Sequence, residues 1–253
     1  MTDKLKVSVI VAVYNRSATI TRCISSIKSQ TYSNIQIVVV DGASQDDTIS
    51  LVTPMLTDKD ILRSEPDQGI YDALNKGLVL ANGDIISFLH SDDLYFDNNV
   101  ISNVVDIFSD DSINVVYGDV SFFSGNNIMK IKRTYRSAKL SKRNLAWGKM
   151  PAHPAMFIKS CIYEDIGNFE TNFKIAADYD FLCRLVKHTE LNCVYIPNVL
   201  VRMQLGGVST QVLKNFIMIN KEIFRAIRQN GIYTNLFMLF SRYISKILQL
   251  LMK

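Results

Sequence analysis

Residues 84–93 read Asp-Ile-Ile-Ser-Phe-Leu-His-Ser-Asp-Asp, a short apolar run that closes on two adjacent carboxylates. A run without regular polar alternation must be covered on both faces, as in the strands of a parallel sheet. Three earlier runs share this form. Val7–Val13 closes on Tyr14-Asn15-Arg16, residues 35–40 close on Asp41-Gly42, and a shorter strand at 61–63 leads into Glu65-Pro66-Asp67. Helical signals separate them. Ser17 is placed to cap a helix through Ile20, Cys23, Ile24 and Ile27, and Asp46 and Asp47 open a helix toward Leu56. Residues 69–81 place Ile70, Leu74, Leu78 and Ala81 on one helical face. The alternation predicts an α/β fold, a Rossmann-like, mostly parallel sheet with helices on both faces. Ligands of such sheets bind beyond the carboxyl ends of the strands, so four polar strand ends in succession point to one shared crevice.

The second half is less regular. Strands are expected at 115–117, 128–135, 155–158, 191–196 and 200–204, and helices at 96–108 and 177–188. Two basic, apolar helices at about 213–229 and 232–252 finish the chain, which carries no internal repeat and no low-complexity linker. The expected organisation is a catalytic domain over 1–210 (a ligand-binding half over 1–110 and a catalytic half over 111–210) with a helical extension over 211–253.

Of the 253 residues 48% are hydrophobic, enough to bury a substantial core and to exclude wholesale disorder. The net charge of +4 is unevenly spread. Residues 211–253 hold seven basic side chains and a single acid, Glu222, leaving the rest of the chain at −2. No nucleic-acid partner is expected from so local a basic character. Cys23, Cys161, Cys183 and Cys193 show no metal-ligand spacing and read as buried thiols of a reducing compartment. Tyr14-Asn15-Arg16 follows the first apolar run where a cleavage site would be needed, so no signal peptide is expected and a cytoplasmic placement is.

The segments VSVIVAVYNR (7–16), IVVVDGASQDDT (37–48), EPDQGIYDALNKGLVLANGDIISFLHSDD (65–93), HPAMFIK (153–159) and AADYDFLCRL (176–185) stand in an order that resembles the family 2 glycosyltransferases of GT-A fold. The resemblance covers about residues 6–209 and is near that of bacterial enzymes building O-antigen and related surface polysaccharides. It implies an inverting transferase that moves a hexose, glucose or galactose by analogy, from a UDP-sugar to an undecaprenyl-diphosphate-linked saccharide. It also implies a divalent cofactor, Mn²⁺ or Mg²⁺, because hard cations bound by carboxylates and phosphates can neutralise a departing diphosphate.

Residue by residue, the resemblance makes Asp92 the metal ligand, with Asp93 assisting and Ser91 beside them in the sugar-nucleotide site. The family's usual first acid of this motif is replaced by His90. Tyr14, Asn15, Asp41 and Asp67 fall where the family holds the nucleoside, and Lys76 and Arg202 where it contacts the diphosphate. The glycine pair at 206–207 suits a mobile lid. Asp178 matches the general base, although Ala177 stands where a second acid is common. Asp178 and Asp180, two residues apart, cannot share a helical face. One should enter the crevice while the other caps or binds basic groups. His153 and Trp147 are expected on the acceptor side, beside eight basic residues between Lys130 and Lys149.

The last helix carries an apolar stripe of Tyr233, Leu236, Phe237, Phe240, Ile244, Ile247, Leu248 and Leu251 interrupted by Arg242 and Lys246. Such a helix suits an anionic membrane surface, with packing on the catalytic domain or on a second copy of the chain in a homodimer as the rival. The replaced acids at His90 and Ala177 support a rival function, a degenerate saccharide-binding or scaffold protein.

Overall fold

The computed structural model describes residues 5–125, 127–188, 190–205 and 212–251, with side chains left out at 212–215 and 244–251. The first half alternates as the sequence predicts. Strand β1 (Val7–Val13) leads to helix α1 (Ser17–Lys28), β2 (Ile35–Asp41) to α2 (Thr48–Val52), β3 (Ile61–Ser64) to α3 (Ile70–Leu80), and β4 (Ile85–Phe88) follows. These four strands are parallel, in the order β3-β2-β1-β4. Every residue of β1 and β2 is buried, as their unbroken apolar runs require. Val9 and Val11 meet α1 on one face, while Ile10 and Ala12 face α3 on the other.

Beyond β4 the sheet becomes mixed. Strand β5 (Leu94–Tyr95), helix α4 (Val100–Ile107), β6 (Val115–Phe123), β7 (Ile131–Tyr135), α5 (Lys142–Ala146), β8 (Met156–Lys159), α6 (Ser160–Ile166), α7 (Ala177–Leu185) and β9 (Cys193–Gln204) complete the described core. β8 runs antiparallel to both β4 and β6, β6 is parallel to β9, and β5 is antiparallel to β9. The two strands expected at 191–196 and 200–204 are therefore one. Pro197-Asn198 interrupts the apolar pattern, but register shifts opposite Asp119 carry the pairing across the interruption.

Two local expectations are corrected. Ser17 is the first helical residue of α1 rather than its cap, and its backbone N–H donates to the Asp46 carboxylate at 3.0 Å. The buried face of α3 is Tyr71, Ala73, Leu74 and Gly77, while Ile70 is exposed.

The chain ends in α8 (Val212–Gln229) and α9 (Leu236–Leu251). Ile223, Ala226 and Ile227 of α8 enter the same core cluster as Phe181 and Leu185 of α7, so the helix beyond the expected boundary at 210 is part of the packed domain. Leu239 anchors α9 in that cluster. Tyr233, Leu236 and Phe237 point outward and are more than half exposed. Among the described residues no helix is long and apolar enough to cross a membrane.

Candidate active site

The carboxyl ends of the parallel strands lie level, since Val13 pairs with Asp41 and Asp41 with Ser64. The loops that follow β1, β2 and β3 therefore meet. Asn15 and Ala43 both adopt positive φ, 49° and 62°, which turns the first two loops toward each other. The Asn15 side chain accepts from the Gln45 N–H at 2.8 Å, and the Ser44 hydroxyl accepts from the Asn15 N–H at 2.8 Å. Asp41 is fully buried. Its carboxylate accepts from the Ser44 N–H at 2.9 Å, from the Ser64 hydroxyl at 2.7 Å and from the Ser44 hydroxyl. Its role inside the chain is to fix this junction.

Asp67 closes the corner. A Cβ added to Gly42 would overlap the Asp67 carboxylate and come within 3.4 Å of the Tyr14 ring. Tyr14, Gly42 and Asp67 thus form one small surface, with the Tyr14 ring exposed above it. Gly42→Ala must displace Asp67. For the sugar nucleotide that the resemblance implies, KM is expected to rise roughly tenfold, because small misplacements of a positioning group are costly. A steady-state titration of donor checks this. Lys76 lies elsewhere. It pairs with Asp72 at 3.2 Å and Glu65 at 3.3 Å and donates to the Pro66 carbonyl, so its charge braces the loop that carries Asp67.

The acidic turn follows β4. Its backbone is held by the Asp93 N–H to His90 carbonyl bond at 2.9 Å, and the buried Cys23 thiol donates to the same carbonyl at 3.4 Å. Ser91 is buried within the turn, Asp93 is 2% exposed and Asp92 is half-buried. Asp93 Oδ1 accepts from the Gln204 N–H at 3.1 Å, while Oδ2 is buried without a partner among the described residues. Burial, reinforced by the charge of Asp92, pushes the Asp93 carboxyl well above the usual range. An orphaned carboxylate oxygen beside a second, accessible carboxylate is the donor set that Mg²⁺ or Mn²⁺ takes when phosphates complete the shell. Among the described residues no group of three His, Cys, Asp or Glu side chains could hold a metal ion.

Arg22 of α1 was not legible as a site residue. Its guanidinium donates to the Asp92 carbonyl at 3.4 Å and to the Gln204 side chain, and it lies 5.2 Å from the Phe123 ring centroid. It clasps the acidic turn to the end of β9. Gln204 joins both, since its side chain accepts from Arg22 and its backbone N–H donates to Asp93. Arg202, two residues earlier, lies over Phe96 at 4.4 Å and donates to the Ile128 carbonyl at 3.3 Å. The glycine pair expected to form a lid lies outside the described residues.

His153 is placed differently from its expected acceptor role. It is 5% exposed, stacks on Phe88 at 5.2 Å and meets Phe169 edge-on. Burial, with His90 nearby, lowers its pKa to about 3, so it is a neutral member of an aromatic layer beneath the crevice. His90 is likewise held neutral by burial, against the charge of Asp92. Trp147 packs edge-on against Phe237 of α9 at 6.4 Å. The eight basic residues from Lys130 to Lys149 are all exposed, and none of them forms an ion pair among the described residues.

Asp178 and Asp180 divide as their spacing demands. Asp180 is fully buried and receives Arg184 at 3.0 Å, Gln229 at 2.6 Å and Asn230 at 2.7 Å. Asp178 turns the other way and is half-buried. Its Oδ1 accepts from the Tyr179 N–H at 2.8 Å and lies 3.2 Å from the Tyr71 hydroxyl, while Oδ2 makes no hydrogen bond among the described residues. Burial raises its pKa to about 6, against the lowering effect of those two donors and of its own backbone N–H, and with help from the charge of Glu222. A carboxylate with one oxygen fixed, one free and a pKa below neutrality can accept a proton at pH 7.

The family model for glycosyl transferase family 2 matches residues 8–164, more than half of the chain. The chain belongs to this family. A PGL/p-HBAD biosynthesis glycosyltransferase of Mycobacterium bovis is 30% identical over 220 residues, covering 83% of this chain and 82% of the relative. The fold is similar to that of the mannosyltransferase PcManGT from Pyrobaculum calidifontis, solved with GDP-Man and Mn²⁺ (TM-score 0.65, 22% identity, 90% of this chain and 65% of that one). It is also similar to S. aureus TarS 1-349 in complex with UDP-GlcNAc (TM-score 0.66, 20% identity, 88% and 66%). The chain thus spans about two thirds of the length of these two structures. This glycosyltransferase carries Asp178 and all of α8 beyond the matched segment.

Proposed function

We propose that this glycosyltransferase is an inverting enzyme that moves a hexose, glucose or galactose, from a UDP-sugar to a lipid-linked saccharide during assembly of a surface polysaccharide such as O-antigen. The observation that carries the reading is Asp178, whose free Oδ2 belongs to a group with a pKa of about 6. The acceptor hydroxyl would give its proton to Oδ2 as its oxygen attacks the anomeric carbon, and the bond to the diphosphate oxygen would break with its electron pair leaving on UDP. An α-linked donor would give a β-linked product. Tyr14, Asn15, Asp41 and Asp67 would form the nucleoside corner. Asp92 and Asp93 would hold a divalent cation, Mn²⁺ or Mg²⁺, whose charge would stabilise the departing diphosphate. The UDP-GlcNAc and GDP-Man complexes of the two similar folds support a nucleotide-sugar donor. Incubating the purified chain with Mn²⁺ and each of a panel of UDP-hexoses tests the reading. Release of UDP supports it, and no turnover of any sugar nucleotide would favour the scaffold alternative that His90 and Ala177 suggest.

The acceptor side of the proposal rests on the exposed basic strip from Lys130 to Lys149, suited to a diphosphate, and on the outward apolar side chains of α9. Leu236 and Phe237 are 61% and 72% exposed on a basic helix, which suits the inner face of an anionic cytoplasmic membrane. Leu236→Asp with Phe237→Asp is expected to abolish co-sedimentation with phosphatidylglycerol vesicles while leaving the protein folded. Undiminished co-sedimentation would refute the membrane contact, and loss of a dimer in the variant would show a second subunit there instead.

A further inference from the structure

We propose that Glu222, on α8, is a positioning residue for Asp178, so that the C-terminal helix is part of the catalytic machinery rather than an appendage; this rests on the reading of Asp178 as the base. The carboxylate of Glu222 accepts three consecutive backbone N–H groups, from Lys174 at 3.0 Å, Ile175 at 2.9 Å and Ala176 at 3.1 Å. Those residues lead directly into α7, whose N-cap residue Ala176 has no side chain able to cap it. Glu222 satisfies the backbone N–H groups of the N-cap residue and of the two residues before it from 46 to 48 residues away, and its negative charge sits beside the positive end of the helix.

The same segment is pinned from the opposite side. The Tyr71 hydroxyl of α3 lies 2.5 Å from the Ile175 carbonyl and also reaches Asp178. Ile175 is thus gripped at its N–H by Glu222 and at its carbonyl by Tyr71, which fixes the backbone three residues before the base. Further along α8, Arg225 lies over Phe173 at 3.8 Å and donates to the Asn172 carbonyl at 3.1 Å, and Gln229 and Asn230 hold Asp180. Three successive levels of one helix therefore hold residues 172–180. Only the Glu222 level places a charge that acts on Asp178. The groups facing Asp178 are Tyr71 from α3, Tyr179 of its own helix and Glu222 from α8.

Two variants separate positioning from general stability. Glu222→Gln keeps one acceptor oxygen for the loop and removes the charge, whereas Asp180→Asn loosens the α7–α8 contact without touching residues 174–176. In Glu222→Gln, kcat for UDP-hexose turnover is expected to fall roughly tenfold with donor KM unchanged. The carboxyl of Asp178, followed by ¹³C NMR in Asp-labelled protein and assigned with Asp178→Asn, is expected to titrate at lower pH than in the wild type. Asp180→Asn should lower Tm and leave that midpoint in place. The NMR titration needs no substrate, so it stands even if no UDP-hexose is turned over and the proposed reaction fails. A wild-type midpoint in Glu222→Gln, or the same shift in Asp180→Asn, would overturn the proposal.

Discussion

Asp92→Ala is expected to reduce turnover of the sugar nucleotide by about 10²–10⁴-fold, the range that corresponds to several kcal/mol of charge stabilisation at the leaving group. The reasoning starts from the turn itself. Asp93 is buried with Oδ2 unpartnered, and its ionised form is disfavoured first by burial and then by Asp92. Two carboxylates held that close gain from a shared cation, and removing the more accessible one leaves a single buried carboxyl, whose burial still disfavours the charged form although the repulsion from Asp92 is gone. In the wild type, EDTA should abolish activity and Mn²⁺ restore it. In Asp92→Ala, Mn²⁺ should restore almost none. Assaying both proteins over a Mn²⁺ titration checks the claim, and a variant that responds to Mn²⁺ like the wild type would show that the turn holds no cation.

Asp178→Asn should lower kcat by about 10²–10⁴-fold, the contribution usual for a general base. The donor KM should stay near the wild-type value, because the Tyr14, Asp41 and Asp67 corner is built by other loops. Asparagine has nearly the same shape, so the bond from the Tyr179 N–H survives and the fold is unaffected. Single-turnover measurements with saturating donor separate this loss from slow product release. A variant with full activity would remove Asp178 from the mechanism.

The parallel half of the fold was legible because its strands are buried on both faces. An apolar run such as Val7–Val13 leaves no other reading, and the polar residues at its end mark where the crevice lies. Helix α3 shows where periodicity runs out. Gly77, which offers no hydrophobic signal, lies against the sheet so closely that an added Cβ would overlap Ile10, while the apolar Ile70 is exposed. The second half was harder to read because β9 is only partly buried and continues through Pro197 by shifting register.

For the candidate site, residues at strand ends and helix starts could be proposed from the sequence because their position carries the signal. Arg22 and Glu222 were not found, since a charged residue on a helix usually reads as solvated surface. What sets them apart is contact across 70 and 46 residues of chain, which no local pattern encodes. One trace was present. Glu222 is the only acid among the seven basic residues that follow position 210, and a lone charge of opposite sign is a reason to look for its partner. His153 is ambiguous by its residue type, because histidine is equally at home in a site and in the aromatic layer where it lies.

The measurement that bears most directly on the account is the pH dependence of UDP-hexose turnover by the wild type, run beside Asp178→Asn. A base must be deprotonated to act, so activity should fall about tenfold per unit as pH drops below the Asp178 pKa and level off above it. With that pKa raised to about 6 by burial, the account predicts a wild-type midpoint near pH 6 and no such step in the residual activity of the variant. A wild-type rate that is flat between pH 5 and 8 (an interval of about one unit below to two above that midpoint), or a step of the same size and midpoint in Asp178→Asn, would contradict it.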